Sequence, residues 1–217
     1  MKSLFIILIG SACVGSSLAE PIRVACVGDS ITFGAGIRDR KAKSYPAQLS
    51  GMLGKGYEVK NFGNSGSTML KKGDKPFWKQ REFGAAIAFN PNIVIIKLGT
   101  NDTKPQNWKH GSDFATDYKE MIKTFRALKS EPKVFICLPV PVFKTRWGIT
   151  DKIVNENVIP ATKTVAKETG AELIDLNTPL KGKASLVPDS VHPNAGGAKI
   201  IAETIAKALN LAATTGK

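Results

Sequence analysis

Histidine is scarce in this chain. Only His110 and His192 occur among 217 residues, so any chemistry that needs an imidazole base has two candidates. Cysteine is scarce too, with three residues and no Cys-x-x-Cys pair, which leaves neither a disulfide framework nor a histidine–cysteine cluster for zinc. Cys26 and Cys137 fall inside apolar runs and read as small buried hydrophobes. No Gly-Lys-Ser/Thr marks a phosphate loop, and Gly34-Ala35-Gly36 runs on to Asp39 where a dinucleotide fingerprint needs a third glycine. Acidic residues are outnumbered, 18 against 31 lysines and arginines, giving a formal charge of +13. Those lysines are spread along the chain with no nucleic-acid motif beside them, so a soluble basic surface is expected and no nucleic-acid partner.

Long hydrophobic runs are absent as well. The N-terminal one, Leu4 through Val14, is shorter than the roughly 20 residues a membrane span needs. With Lys2 before it and Ser17-Leu18-Ala19 after it, residues 1–19 read as a cleaved secretory signal, which implies a secreted or periplasmic protein. Cys13 offers a lipid-attachment alternative, ranked lower because no leucine stands three positions before it. No stable membrane insertion is expected after cleavage.

What is present is an alternation of short apolar runs and helical stretches. Ile22 to Val27, Glu58 to Phe62, Ile93 to Leu98, Val134 to Leu138 and Glu172 to Leu176 read as strands, near-continuously apolar as in a parallel sheet covered on both faces. Between them Asp113 to Lys129 keeps a helical apolar face, a second helix runs through Ile153 and Val165 with Pro160 as a kink, and a last one spans Ala195 to Leu209. The fold class predicted is α/β: a three-layer α/β/α sandwich on a five-stranded parallel sheet, flavodoxin-like in its winding. One domain, residues 20–212, is expected, with a frayed tail at 213–217.

Each of the first three strands ends in a polar loop containing glycine, and such loops converge where open α/β sheets bind their ligands. They are Gly28-Asp29-Ser30-Ile31-Thr32, Gly63-Asn64-Ser65-Gly66 and Gly99-Thr100-Asn101-Asp102; after the fifth strand comes Asp189-Ser190-Val191-His192. Ser30 could cap a helix, and Asn101 and the glycines could serve ordinary turns. Their joint occurrence at successive strand ends, with Asp-x-x-His, points instead to nucleophilic catalysis: a serine activated by an imidazole that a carboxylate orients. Asp29 reads as a loop-ordering hydrogen bonder with a second possibility of substrate contact, Asp102 should point away from Asn101, and His110 is assigned no role.

These four blocks resemble, in order, the signature blocks of the SGNH/GDSL hydrolases across nearly the whole mature chain. Asn61-Phe62-Gly63-Asn64-Ser65-Gly66 and Leu98-Gly99-Thr100-Asn101-Asp102 look most like those of secreted bacterial carbohydrate O-acetylesterases. The resemblance implies a Ser30–His192–Asp189 triad and an oxyanion hole from the Ser30 and Gly66 backbone N–H groups and the Asn101 side-chain amide. It implies no cofactor and no metal.

The substrate expected is an acetylated carbohydrate or other small ester, because no apolar stretch flanks the blocks to line a channel for a long acyl chain. Trp108 and Trp147, near the ends of the third and fourth strands, are the candidate sugar-contacting rings, while Trp78 reads as packing. Two other readings stay open: a lysophospholipase or acyl thioesterase of the same fold, and a glycan-binding protein without activity. The sequence is silent on oligomeric state.

Overall fold

The computed structural model describes residues 20–215. The secretory-signal reading of residues 1–19, Cys13 included, and the last two residues of the expected tail lie outside the described residues. Five parallel strands form one sheet: β1 (Ile22–Gly28), β2 (Tyr57–Gly63), β3 (Ile93–Lys97), β4 (Lys133–Leu138) and β5 (Glu172–Asp175), in the order β2-β1-β3-β4-β5. The expected strands are all present, with no end displaced by more than one residue. β1 lies at the centre of the switch, pairing Gly28 with Gly63 on one side and with Lys97 on the other.

Side chains alternate across the sheet, and each face has its own core. Val24, Cys26, Ile95, Phe135, Cys137 and Ile174 face one layer, made by α3 (Tyr45–Leu53) and α9 (Ala195–Thr215), with short α1 (Ser30–Phe33) and α2 (Arg40–Lys43) before them. Ala25, Val27, Val94, Ile96, Val134 and Ile136 face the other layer. That layer contains α4 (Arg81–Ala88), α6 (Phe114–Arg126) and α8 (Ile159–Thr169), with α5 (Pro105–Trp108) and α7 (Asp151–Ile153) as short connectors. This is the three-layer sandwich that the apolar runs predict. Burying one such large side chain stabilises the fold by about 1.5–3 kcal/mol, so these two clusters supply most of the driving force. Cys26 and Cys137 are free and buried on the same face, in strands separated by β3.

Three helix boundaries depart from expectation, each for a local reason. α6 stops at Arg126 rather than Lys129, because Glu131 takes φ 45° ahead of Pro132, which cannot continue a helix. Around Pro160 the helical path is continuous from Asp151 to Thr169 but passes through a π-helical turn at Val154–Val158, directly before the proline at the second position of α8. The ring lacks an N–H for the turn behind it, and the wider turn accommodates it. α9 continues past Leu209 to Thr215, through alanine and leucine residues that favour helix. Among the described residues no helix is long and apolar enough to cross a membrane.

Candidate active site

The serine stands where a glycine-flanked strand end becomes a helix. Asp29 caps α1, its Oδ1 accepting the Ile31 N–H at 2.9 Å, and Gly34 closes the helix at φ 89°. α1 lies so close over the strand ends that side chains are excluded beneath it. A Cβ on Gly28 would stand 2.1 Å from Thr32 Oγ1, and one on Gly63 would stand 2.1 Å from the Phe33 nitrogen. The Asn64 N–H donates to the Gly28 carbonyl at 2.9 Å, tying the second loop to the first.

His192 arrives on the segment before α9. Asp189 Oδ1 accepts the backbone N–H groups of Val191 at 2.9 Å and His192 at 2.6 Å, and Asp189 Oδ2 lies 2.7 Å from His192 Nδ1. The other ring nitrogen, Nε2, is 2.8 Å from Ser30 Oγ. An ionised carboxylate only accepts, so Nδ1–H donates to it and leaves Nε2 to accept the serine proton. Partial burial raises the Asp189 carboxyl, but the two backbone N–H groups and the imidazole outweigh it and hold the group below the usual carboxylate range. The turn is fixed from behind: Val191 packs in a small cluster with Val142, Ile149 and Val154, and the Phe143 N–H donates to the Ser190 carbonyl at 3.1 Å.

Three N–H donors border the same edge of the sheet. The amides of Ser30 and Gly66 have no protein acceptor among the described residues, and Gly66 sits at φ 84°. Asn101 Nδ2 donates one proton to the Ser67 carbonyl at 3.1 Å, which aims the amide along the second loop and leaves its other proton uncommitted. Asp102, fully buried, accepts the N–H groups of Leu70 at 2.7 Å and Met69 at 3.0 Å. It points away from Asn101 into the protein, as its position predicts, and burial pushes its carboxyl up to about 7.

The remaining candidates separate by burial. Asp29 has no exposed surface, and its carboxylate is engaged by Ile31 and by Lys97 Nζ, so it orders the loop and offers nothing to a substrate. Trp108 is half-buried, tilted against Phe114 at 5.8 Å and covering Gly111, because the apolar stripe of α6 needs a lid there; it is no open platform. Trp78 packs in the core as expected. Trp147 is 55% exposed, its ring 5.4 Å from that of His192. His110 is half-buried at the start of a short 3₁₀ turn, away from these residues in the hydrogen-bond network.

Lys97 is the residue the sequence reading missed. Fully buried, it donates to Asp29 Oδ2 at 3.0 Å and to Thr100 Oγ1 at 2.8 Å. A lone charge in the otherwise apolar run Ile93 to Leu98 was the signal available.

With this geometry in place, similarity to known proteins is informative. The profile of the GDSL-like lipase/acylhydrolase family matches residues 26–200. An acetylxylan esterase of Xylanibacter ruminicola is 46% identical over 88% of this chain, and the chain spans 43% of that protein's length. Among solved structures, a carbohydrate acetylesterase from Sinorhizobium meliloti superposes with a TM-score of 0.71 at 19% identity, covering 88% of this chain and 99% of that one. The aryl esterase of M. smegmatis gives 0.70 at 20% identity, covering 87% and 98%. These two likenesses concern the fold. The chain belongs to the GDSL-like lipase/acylhydrolase family.

Proposed function

We propose that this member of the family is a serine esterase that removes short acyl groups, acetyl foremost, from carbohydrate. The observation that carries the reading is the continuous chain from Ser30 Oγ to His192 Nε2 at 2.8 Å and from His192 Nδ1 to Asp189 Oδ2 at 2.7 Å. The 46%-identical acetylxylan esterase supports the choice of acetyl and of sugar. The secretory character of residues 1–19 suits a polymeric substrate outside the cell.

Ser30 Oγ attacks the ester carbonyl as His192 Nε2 takes its proton. Asp189 keeps Nδ1–H in place and stabilises the imidazolium that forms. The developing oxyanion is met by the Ser30 and Gly66 N–H groups and by the Asn101 amide, each worth about 10²–10³ in turnover. His192 returns the proton to the leaving alcohol, giving an acyl-Ser30 intermediate. Water activated by the same imidazole then releases the acid.

Hydrolysis of aryl esters from acetyl to octanoyl, with Ser30→Ala as the blank, tests this. The expected result is a Ser30-dependent rate highest for acetyl. A maximum at octanoyl would move the assignment to lipid or thioester substrates, and a rate equal in folded Ser30→Ala would remove Ser30 from the chemistry.

A further inference from the structure

Beside His192 the chain makes a tight reversal at residues 146–149. The Arg146 N–H donates to the Ile149 carbonyl at 3.1 Å and the Ile149 N–H returns to the Arg146 carbonyl at 2.8 Å. Its two central residues have positive φ, 51° for Trp147 and 78° for Gly148. Glycine adopts that conformation freely, but an indole-bearing residue is strained in it, and such strain persists only where the surroundings impose it. Here they do: Ile149 is buried with Val142, Val154 and Val191, and a Cβ at position 148 would stand 3.1 Å from Pro105.

The strained residue lies between an imidazole and a guanidinium, its ring tilted 49° to that of His192. The Trp147 ring lies 5.4 Å from the imidazole of His192, and the Arg146 guanidinium carbon lies 4.6 Å from the Trp147 ring centre. Indole thus meets a guanidinium at the mouth of the site, an exposed contact of modest strength, with its forked N–H donors open to solvent. Among the described residues no carboxylate lies within 4 Å of Arg146, a feature it shares with Arg38, Arg40 and Arg126, while Arg23 and Arg81 have one at 3.7 and 3.9 Å. What sets Arg146 apart is its place beside His192 through Trp147. The next acidic residue along the chain, Asp151 at the start of α7, accepts from the Val142 N–H at 3.4 Å. On another side of the site Lys75 Nζ donates to the Ser65 carbonyl at 2.7 Å, next to Gly66, so a second cation borders the mouth.

Building on the esterase reading, we propose that Arg146, held on Trp147, is a specificity-determining cation. The favoured substrate is then an acetylated glycan bearing a carboxylate, such as a uronic acid residue near the acetyl group, and the guanidinium takes that carboxylate through paired N–H donors. A neutral glycan makes no equivalent contact. The indole lends stiffness, so the cation is oriented before substrate arrives and little rotamer entropy is lost on binding.

The test compares kcat/KM on two probes, an acetylated oligosaccharide carrying a glucuronic acid side group and the same compound with its carboxyl reduced to the alcohol. Aryl acetate hydrolysis is measured alongside. The expected acidic-to-neutral ratio is about two- to fivefold at low salt, the range for a rim charge pair. It should shrink as ionic strength rises and fall toward one in Arg146→Gln. Arg146→Lys, which keeps the charge but loses the planar fork, should lie between. A wild-type ratio near one, or a ratio unmoved by Arg146→Gln, overturns the inference, as does aryl acetate turnover with neither oligosaccharide hydrolysed. Absence of aryl acetate turnover overturns the esterase reading itself.

Discussion

Lys97 Nζ lies 3.0 Å from Asp29 Oδ2, and neither side chain has any exposed surface. This ion pair sits directly behind the Ser30 turn, joining the end of β3 to the cap of α1. A charge buried there is tolerable only while its partner remains, since removing one leaves the other desolvated and uncompensated. Lys97→Met should therefore destabilise the protein by about 3–5 kcal/mol, and the double variant with Asp29→Asn should recover part of that loss. Urea midpoints measure both. An unchanged midpoint in Lys97→Met would mean that the pair does not hold the turn.

Asp189 supplies a second expectation. Replacing it with Asn preserves the shape but no longer favours Nδ1–H, so Nε2 loses its role as proton acceptor. A fall in kcat of about 10⁴ is expected with KM nearly unchanged. Because its hydrogen bonds depress the Asp189 carboxyl below the usual value, its stabilising contribution is present above the unfolded value of about 4 and is lost only as the pH falls through the lower folded one. Asp189 therefore stays ionised between about pH 5 and 8, and any change of rate with pH in that range does not come from this carboxyl. An unchanged kcat in folded Asp189→Asn would remove the carboxylate from the triad.

The oxyanion donors make a third case. Asn101→Ala deletes a side-chain donor and should cost about 10²–10³ in kcat. Gly66→Ala keeps the N–H, and an added Cβ would meet Lys75 Cδ at an ordinary 3.5 Å, but φ 84° suits glycine alone. Its cost should come from a displaced loop, appearing in both kcat and thermal stability. Asn101→Ala also removes the buried bond to the Ser67 carbonyl and should lower stability by about 1–3 kcal/mol. The two variants are therefore separated by KM: Asn101→Ala should lower kcat with KM nearly unchanged, whereas the displaced Gly66 loop should move both. An unchanged kcat in folded Asn101→Ala would remove its amide from the oxyanion hole.

The sheet was legible because its strands are buried on both faces and therefore uniformly apolar, and the site was legible because its residues cluster in four short blocks at strand ends. Ser30, Asp189 and His192 come together as those blocks imply. What escaped depends on distant pairing. Lys97 looks like an interruption of β3 until Asp29 and Thr100 are placed around it. Trp108 and Trp147 look equivalent as loop tryptophans, yet one closes over Phe114 of α6 and the other stands open beside His192. The strain at Trp147 is equally invisible in sequence, where a Trp-Gly pair gives no strong turn signal.

Asp102 yields the last prediction. Its carboxyl is fully buried, and desolvation raises it to about 7 against the two N–H bonds from Leu70 and Met69, with the Asp29 charge pushing the same way. The folded state thus holds this proton more tightly than the unfolded chain, in which an aspartate titrates near 4. Between about pH 4 and 7 the folded form binds more protons at this site, so its contribution to stability falls as the pH rises and levels off above about 7. The slope from this one group is at most about 1.4 kcal/mol per pH unit. Asp102→Asn cannot ionise, and the difference in unfolding free energy between pH 5 and pH 8 should shrink in that variant relative to the parent. Because Asn101 and the 67–70 segment are neighbours of this carboxyl, the variant should also alter kcat more at high pH than at low. If parent and variant show the same stability difference between the two pH values, Asp102 is ionised throughout and its two N–H bonds, not its burial, dominate.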